Sequence, residues 1–319
     1  MFPVFTRTGS AMQTEPLITW SEPAREYVGF IAQFLALGAV GFRFAAVRQR
    51  DVSSNGDTER RLYAESLQRA AAIGLVGIIV QAGMYALGLP KSAARAHTTV
   101  AGLAGGDLVT GAAIVLFLLG IIGLAMAAIR QRSGWTLALV GVVFAPLTGV
   151  LGGQWSRLVN PVHRVVAGLW IGTLFILVVA GLGRVLLDEP TRERRGAIAA
   201  DMVNGFSPLA LTCGMLVVLS GSITAWTHLT PFSSLWSTPY GYALLVKLCL
   251  VAVVFALGAW NSWRVRPTLG SEDTAHSVRR SSRAELTMAA LVLVATAILV
   301  SLPSPRPPRP PPAAPASGG

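Results

Sequence analysis

The feature that most constrains this chain is a rhythm of hydropathy, in which apolar runs of membrane length recur with short polar connections between them. Eight candidates stand out: Tyr27–Val47, Ala70–Leu89, Leu108–Ile129, Trp135–Leu151, Val165–Leu187, Phe206–Thr227, Tyr240–Ala259 and Ala284–Leu302. A spanning helix needs a run of about 20 apolar residues, because the hydrocarbon core is about 30 Å thick and a helix rises about 1.5 Å per residue. The fourth run is short and holds Pro146 with several glycines, which membrane helices tolerate where neighbours satisfy the freed carbonyl. The expected fold is an all-α, polytopic membrane helix bundle of about eight transmembrane helices.

Composition agrees. Hydrophobic residues make up 53% of the chain and charged residues 13%, about half the charge of a soluble globular domain. Mean hydropathy is +0.58. The net charge of +11 invites a nucleic-acid reading, but Lys91 and Lys247 are the only lysines and the arginines sit in short clusters between apolar runs. No basic module stands apart from the membrane segments, so no nucleic-acid partner is expected. The longest polar loops leave no room for a soluble catalytic domain, and the chain does not read as an enzyme. Met1 to Glu26 lacks a signal-peptide pattern, so the first helix is expected to insert uncleaved. The tail from Pro303 to Gly319 cannot bury a core and is expected to be disordered, partly polyproline.

Arginine placement orients the spans. The first, third, fifth and seventh loops hold sixteen arginines, among them Arg48, Arg60, Arg61, Arg130, Arg184, Arg194, Arg264 and Arg280. The opposite side holds eight basic residues, including Arg25, Lys91, Arg95 and Arg164. The positive-inside rule then puts the odd loops in the cytoplasm and both termini outside.

Polar residues that could carry chemistry collect towards the outer side. His97 lies in the second loop, His163 just ahead of the fifth span, His228 at the outer end of the sixth, and Asp107 at the start of the third. Imidazole and carboxylate suit copper(II) and other divalent ions, so His163, His228, His97 and Asp107 are candidate ligands; equally, interfacial histidines can be purely structural. His276 falls in a charged cytoplasmic loop and reads as solvated. Lys247 lies about eight residues into the seventh span, roughly 10 Å deep. An ammonium there costs about 2.5–3.5 kcal/mol, so it either faces a cavity or snorkels outward. Asp107 is at a compatible depth to pair with it. Cys213 and Met215 in the sixth span and Cys249 in the seventh could line a path for copper(I), or serve as ordinary core fillers.

The second half carries a set of motifs in a fixed order. His163 to Gly172 reads His-Arg-Val-Val-Ala-Gly-Leu-Trp-Ile-Gly, the sixth span opens on Phe206-Ser207-Pro208 and closes on Ser220-Gly221-Ser222-Ile223-Thr224-Ala225-Trp226. Thr238-Pro239-Tyr240-Gly241 then leads through Leu244 to Lys247, followed by Asn261, Arg264, Pro267 and Arg283-Ala284-Glu285. Together these resemble the copper resistance protein D (CopD) domain over about Asn160 to Leu302. The resemblance implies a bacterial inner-membrane, copper-handling protein that passes copper towards the cytoplasm, surrounded by lipid and working beside a periplasmic copper-binding protein; joined to the histidine placement, the leading expectation is a copper permease with an outward-facing entry site from His163 and His228, and His97 as a third ligand. A non-transporting membrane scaffold without a metal site is the alternative. A b-type haem carrier is disfavoured, because the three outer histidines share one edge of the membrane. On this reading 1–159 is a four-helix region without a recognised motif, 160–302 a CopD-like four-helix domain, and 303–319 the tail.

The orientation is checked by a C-terminal reporter fusion. A reporter that works only outside the cytoplasm should be active, and activity of a cytoplasm-only reporter would contradict the assignment.

Overall fold

In the computed structural model, which describes residues 20–48, 56–153, 158–185, 187–228, 233–260 and 272–302, the apolar runs are helices. They are α1 (Ser21–Val47), α2 (Asp57–Arg95), α3 (Leu108–Ala128), α4 (Gly134–Gly152), α5 (Val159–Val185), α6 (Arg195–His228), α7 (Pro239–Trp260) and α8 (Glu272–Ser301). Short helical turns at Val100–Gly106 and Ser234–Ser237 precede α3 and α7, and no strand occurs among the described residues. Helices α1 to α7 are long and apolar enough to cross a membrane, and the eighth expected span corresponds to the apolar stretch Leu286–Ser301 of α8. The chain is a polytopic all-α membrane protein. The tail Pro303–Gly319 and the side chains of His228 and His276 lie outside the described residues.

Helices α1 and α5 form the centre. Of their apolar stretches 72% and 67% of residues are buried, against 11% to 39% in the other five long spans, whose outer faces are left for lipid. Lipid tails are as apolar as leucine, so close packing rather than water exclusion must hold such helices together, and small residues permit it. Gly38 of α1 meets Gly172 of α5 backbone to backbone: a Cβ on Gly38 would overlap the Gly172 carbonyl, and one on Gly172 would overlap the Phe34 carbonyl. Gly168, one turn before, receives the side chains of Phe34 and Leu37. Phe34 faces Gly168 and Gly38 faces Gly172, so the two helices run parallel with a Gly-x-x-x-Gly seam between them. Both widen into π-helical turns in this region, at Phe42–Val47 in α1 and at Gly168–Gly172 and Leu177–Leu182 in α5.

The same logic pairs the other spans. Gly120, Gly123 and Ala127 of α3 lie against Gly141, Ala138 and Gly134 of α4, an antiparallel register in which backbones touch at each step. Gly74 and Gly77 of α2 lie against Ala39 and Ala36 of α1, again antiparallel. The Pro146 signal in the fourth span has a local consequence. From Ala145 to Gly152 the helix tightens to 3-10 turns, and Gly153 ends it at φ 72, a left-handed conformation that glycine adopts freely.

Helix α2 has 39 residues, roughly 58 Å at 1.5 Å per residue, well beyond a hydrocarbon core of about 30 Å. Its polar start runs beyond the apolar stretch, stays packed through buried Leu62, Tyr63 and Leu67, and collects the neighbouring arginines. Glu65 binds both Arg61 (2.8 Å) and Arg184, Glu59 binds Arg194, and Gln68 accepts from Arg130 at 3.2 Å. The first, third and fifth connections therefore meet at one end of the bundle, leaving the start of α1, the end of α2 and the start of α5 at the other.

Gly172→Leu has no free space to enter and requires the α1 and α5 backbones to separate. Overpacking usually costs about 1–3 kcal/mol, and here the loss should exceed that range. Gly83, with nothing within 4 Å of a Cβ, should accept alanine with a small gain from helix propensity, about 0.5–1 kcal/mol. Thermal unfolding of the two purified variants in detergent checks the contrast.

Candidate functional site

Two of the residues expected to bind metal do backbone work at helix ends. The N–H of His97 bonds the Ala94 carbonyl (3.2 Å) and that of Thr98 bonds the Ala93 carbonyl (3.0 Å), with His97 at φ 52. That is a Schellman turn, in which His97 occupies the left-handed position that closes α2. Its side chain is exposed. Asp107 is the N-cap of α3: its carboxylate accepts from the Thr110 N–H at 2.9 Å and from the Thr110 hydroxyl at 2.5 Å. Those bonds, the hydroxyl's first, hold its pKa below the usual carboxylate range.

His163 is placed differently. It belongs to a seam in which α5 and α6 run antiparallel in one register. Asn160 Oδ1 lies 3.0 Å from Thr224 Oγ1, His163 Nδ1 lies 2.9 Å from Ser220 Oγ, and Trp170 reaches Gly214. The His163 ring rests on Gly221, where a Cβ would sit 3.3 Å from Cε1. Helix α7 closes the lower part of the seam through Phe255, whose ring centroid is 5.0 Å from that of Trp170.

Hydrogen bonding sets the state of the imidazole. The Ser220 hydroxyl has one proton, and it is directed at the backbone carbonyls of the preceding turn, Leu216 at 2.6 Å and Val217 at 3.3 Å. With that proton on the carbonyls Oγ accepts from His163, which assigns the hydrogen to Nδ1 and the lone pair to Nε2; with it turned to the ring the tautomer is reversed. Histidines that ligate metals are set up in this way, one ring nitrogen donating to an oxygen so that the other is free and oriented. The Val217 backbone is a further hydrogen-bond partner of the ring.

Lys247 shares this region. It lies three residues after buried Leu244 and seven before buried Val254, on the inward face of α7, and within electrostatic reach of His163. Asp107 is engaged with Thr110. Of the soft side chains, Cys213 is buried on the inward face of α6, next to Gly214. Met215, two residues on and about 200° round the helix, is 67% exposed, and Cys249 is exposed as well. These two point to the lipid side, so Cys213 is the one soft ligand of the three that faces the bundle. No group of three His, Cys, Asp or Glu side chains that could hold a metal ion occurs among the described residues. The His228 side chain is not among them, although its backbone continues α6 two turns beyond Ser220.

The oriented histidine depends on Ser220, which inspection of titratable residues alone passes over. A signal was present in the spacing. Asn160, His163 and Trp170 fall on one helical stripe, and so do Thr224, Ser220, Cys213 and Gly214 read in reverse, but only contact across the seam couples the two.

Comparison with known proteins bears on the second half of the chain. Residues 200–299 match the family model of copper resistance protein D (CopD), so the resemblance read from the sequence is borne out over α6, α7 and most of α8. That stretch contains Ser220 and Lys247 and stops short of His163. Copper transport protein CutJ of Bacillus subtilis (strain 168) is 32% identical over 148 residues, 46% of this chain and 25% of that protein. The chain thus spans about a quarter of the length of this curated relative. Both names describe resistance or transport, and neither an enzyme. No solved structure matches.

Asp107→Ala should lower the unfolding temperature through loss of the cap. Because the folded-state pKa is lowered, the carboxylate's contribution is complete above its ordinary pKa and fades as pH falls through the lowered value. The difference in unfolding temperature between wild type and D107A should therefore shrink as pH drops below about 4.

Proposed function

We propose that this chain is a copper-handling protein of a bacterial inner membrane, a permease that takes copper at the outer end of the α5–α6 seam. The observation that carries the reading is the 2.9 Å contact of His163 Nδ1 with Ser220 Oγ, which ties the ring into a helix seam rather than a loop and, with Nδ1 as donor, leaves Nε2 unprotonated. In this reading His228 is the outermost ligand, about 12 Å along α6 from the level of Ser220. His163 receives the ion next, and Cys213, seven residues below Ser220 on the same stripe, offers a softer donor suited to copper(I). His97 supplies an additional donor at the surface, Asp107 holds the neighbouring α3 in place, and a small periplasmic copper-binding protein delivers the cargo. Lys247 adds a fixed positive charge beside the ligand. Its repulsion keeps copper from resting at His163, as conduction requires binding weak enough to leave.

The alternative, a membrane scaffold without transport, draws on the absence of a three-ligand cluster among the described residues. One assay separates the two readings. Copper accumulation in membrane vesicles should be lost in His163→Ala and His228→Ala, fall with Ser220→Ala because an oriented ligand is typically worth 10- to 100-fold in metal affinity, and give longer retention in Lys247→Met. Wild-type accumulation in H163A at normal expression would sink the site, and a wild type that binds no copper would favour the scaffold.

A further inference from the structure

Below His163 the contact of α5, α6 and α7 changes character. Trp170 follows His163 by seven residues and Gly214 precedes Ser220 by six, so both lie about 10 Å further into the bundle. Phe255 follows Lys247 by eight residues on α7, about 12 Å along the same direction. The three helices therefore share two levels. The outer one is polar, with Asn160, His163, Ser220, Thr224 and Lys247. The inner one is aromatic. The rings of Trp170 and Phe255 meet with centroids 5.0 Å apart and planes inclined at 44°. Both press on Gly214, where a Cβ would lie 3.2 Å from Phe255 Cε1 and 4.0 Å from Trp170 Cη2. Only a residue without a side chain lets the rings settle this close to α6.

Two rings in contact offer a water chain no sequence of hydrogen-bond partners, and hydrophobic constrictions of this kind stop ions by dewetting. The two halves of the pair are also held differently. Trp170 belongs to the π-helical turn Gly168–Gly172, whose glycines are wedged against α1, and its ring packs on the main core. Short π-helical segments are frequent at functional positions. Phe255 belongs to α7, whose apolar stretch is 11% buried, the lowest share of the seven long spans. Segments with few buried contacts are displaced at the lowest cost. One ring is therefore fixed to the frame of the bundle, and the other rides on the span that is held least.

We propose that Trp170 and Phe255 form the selectivity barrier of the seam, a two-ring constriction that stops water and hydrated ions below His163 and opens when α7 carries Phe255 away from Trp170. The proposal rests on the reading of the seam as a copper path and adds what that path refuses. Protons and alkali cations travel with water and are halted at the rings. A copper ion that has exchanged water for side-chain ligands at the outer level meets the barrier without a full hydration shell.

The test uses the full chain reconstituted in liposomes without copper. Proton entry is read from a pH-sensitive dye sealed inside, under a potassium diffusion potential set with valinomycin. Wild-type vesicles should stay tight, and Phe255→Ala and Trp170→Ala should each admit protons several-fold faster. Trp170→Phe keeps a ring and should stay close to wild type, as should Leu248→Ala, a truncation on the exposed side of α7. Copper binding to the purified protein is measured separately by equilibrium dialysis. A wild type that binds no copper removes the copper reading, and a proton leak in F255A then still supports the barrier. Should W170A fail to fold, F255A carries the test, because sparsely packed α7 loses little by the truncation. Tight F255A vesicles, a leak as fast in L248A as in F255A, or one as fast in W170F as in W170A overturns the proposal.

Discussion

The bundle depends on the contact of Gly38 with Gly172, where the backbones of α1 and α5 touch without side chains between them. Water drives the packing of a soluble core, but within a bilayer the helix faces lose nothing by staying against lipid. What remains is dispersion, which falls steeply with distance, so the closest crossing contributes most. Once α1 and α5 are locked in parallel, the other spans have a fixed surface to lie on. Helix α2 docks through Gly74 and Gly77 on the alanine face of α1, and α6 follows, with Gly205 against the carbonyls of Ala45 and Ala46. The α3–α4 hairpin is a separate unit of the same construction, antiparallel instead of parallel. Helix α1 thus packs across the middle of the sequence, joining the part with a family match to the part without one.

The seam between α5 and α6 inherits its precision from that frame. A histidine near the end of a membrane helix can snorkel, rotate or take either tautomer. His163 is held against snorkelling and rotation, because the ring lies on Gly221 and Nδ1 meets the Ser220 oxygen, which also lies 2.6 Å from the Leu216 carbonyl. The chain of reasoning runs from a small residue, which lets the ring approach, to a serine that back-bonds its own helix, to an imidazole held in one orientation. Each link is ordinary in membrane helices; their coincidence at one level of the bundle is what gives the position chemical direction.

Much of this was legible in the sequence. Seven of the eight expected spans and their placement followed from hydropathy, because lipid leaves a spanning segment few choices, and the polar extensions of α2 escaped notice only because they continue a helix beyond the apolar run. The site was legible in its residue types and not in its geometry. His97, His163, His228 and Asp107 belong to helix ends on one side of the bundle, which a one-dimensional reading can recover. Their rotation about the helix axes is set by crossings such as Gly38–Gly172, and that is encoded in pairs of residues more than a hundred positions apart. His97 and Asp107 illustrate the ambiguity, since the turn that closes α2 and the cap that opens α3 need a left-handed residue and a carboxylate for reasons unrelated to metal. Met215 shows the opposite case, a plausible soft ligand turned to lipid by two residues' rotation from Cys213.

His163 and Arg164 are adjacent in sequence, and a helix turns 100° per residue. Their side chains consequently serve different faces of α5: His163 meets Ser220 on α6, and Arg164 extends over Phe30 on α1. The first face presents a lone pair, suited to a cation, and the second a guanidinium, suited to an anion. Rotation of α5 would exchange the two environments and place an uncompensated guanidinium in the seam. That rotation is blocked where Gly168 and Gly172 fit against Phe34, Leu37 and Gly38, since the residues of α5 between and beside them, Ala167, Leu169, Trp170, Ile171 and Thr173, carry a Cβ that the crossing cannot admit. The steric constraint that holds the bundle together is therefore also what keeps the two kinds of charge chemistry on separate sides of one helix.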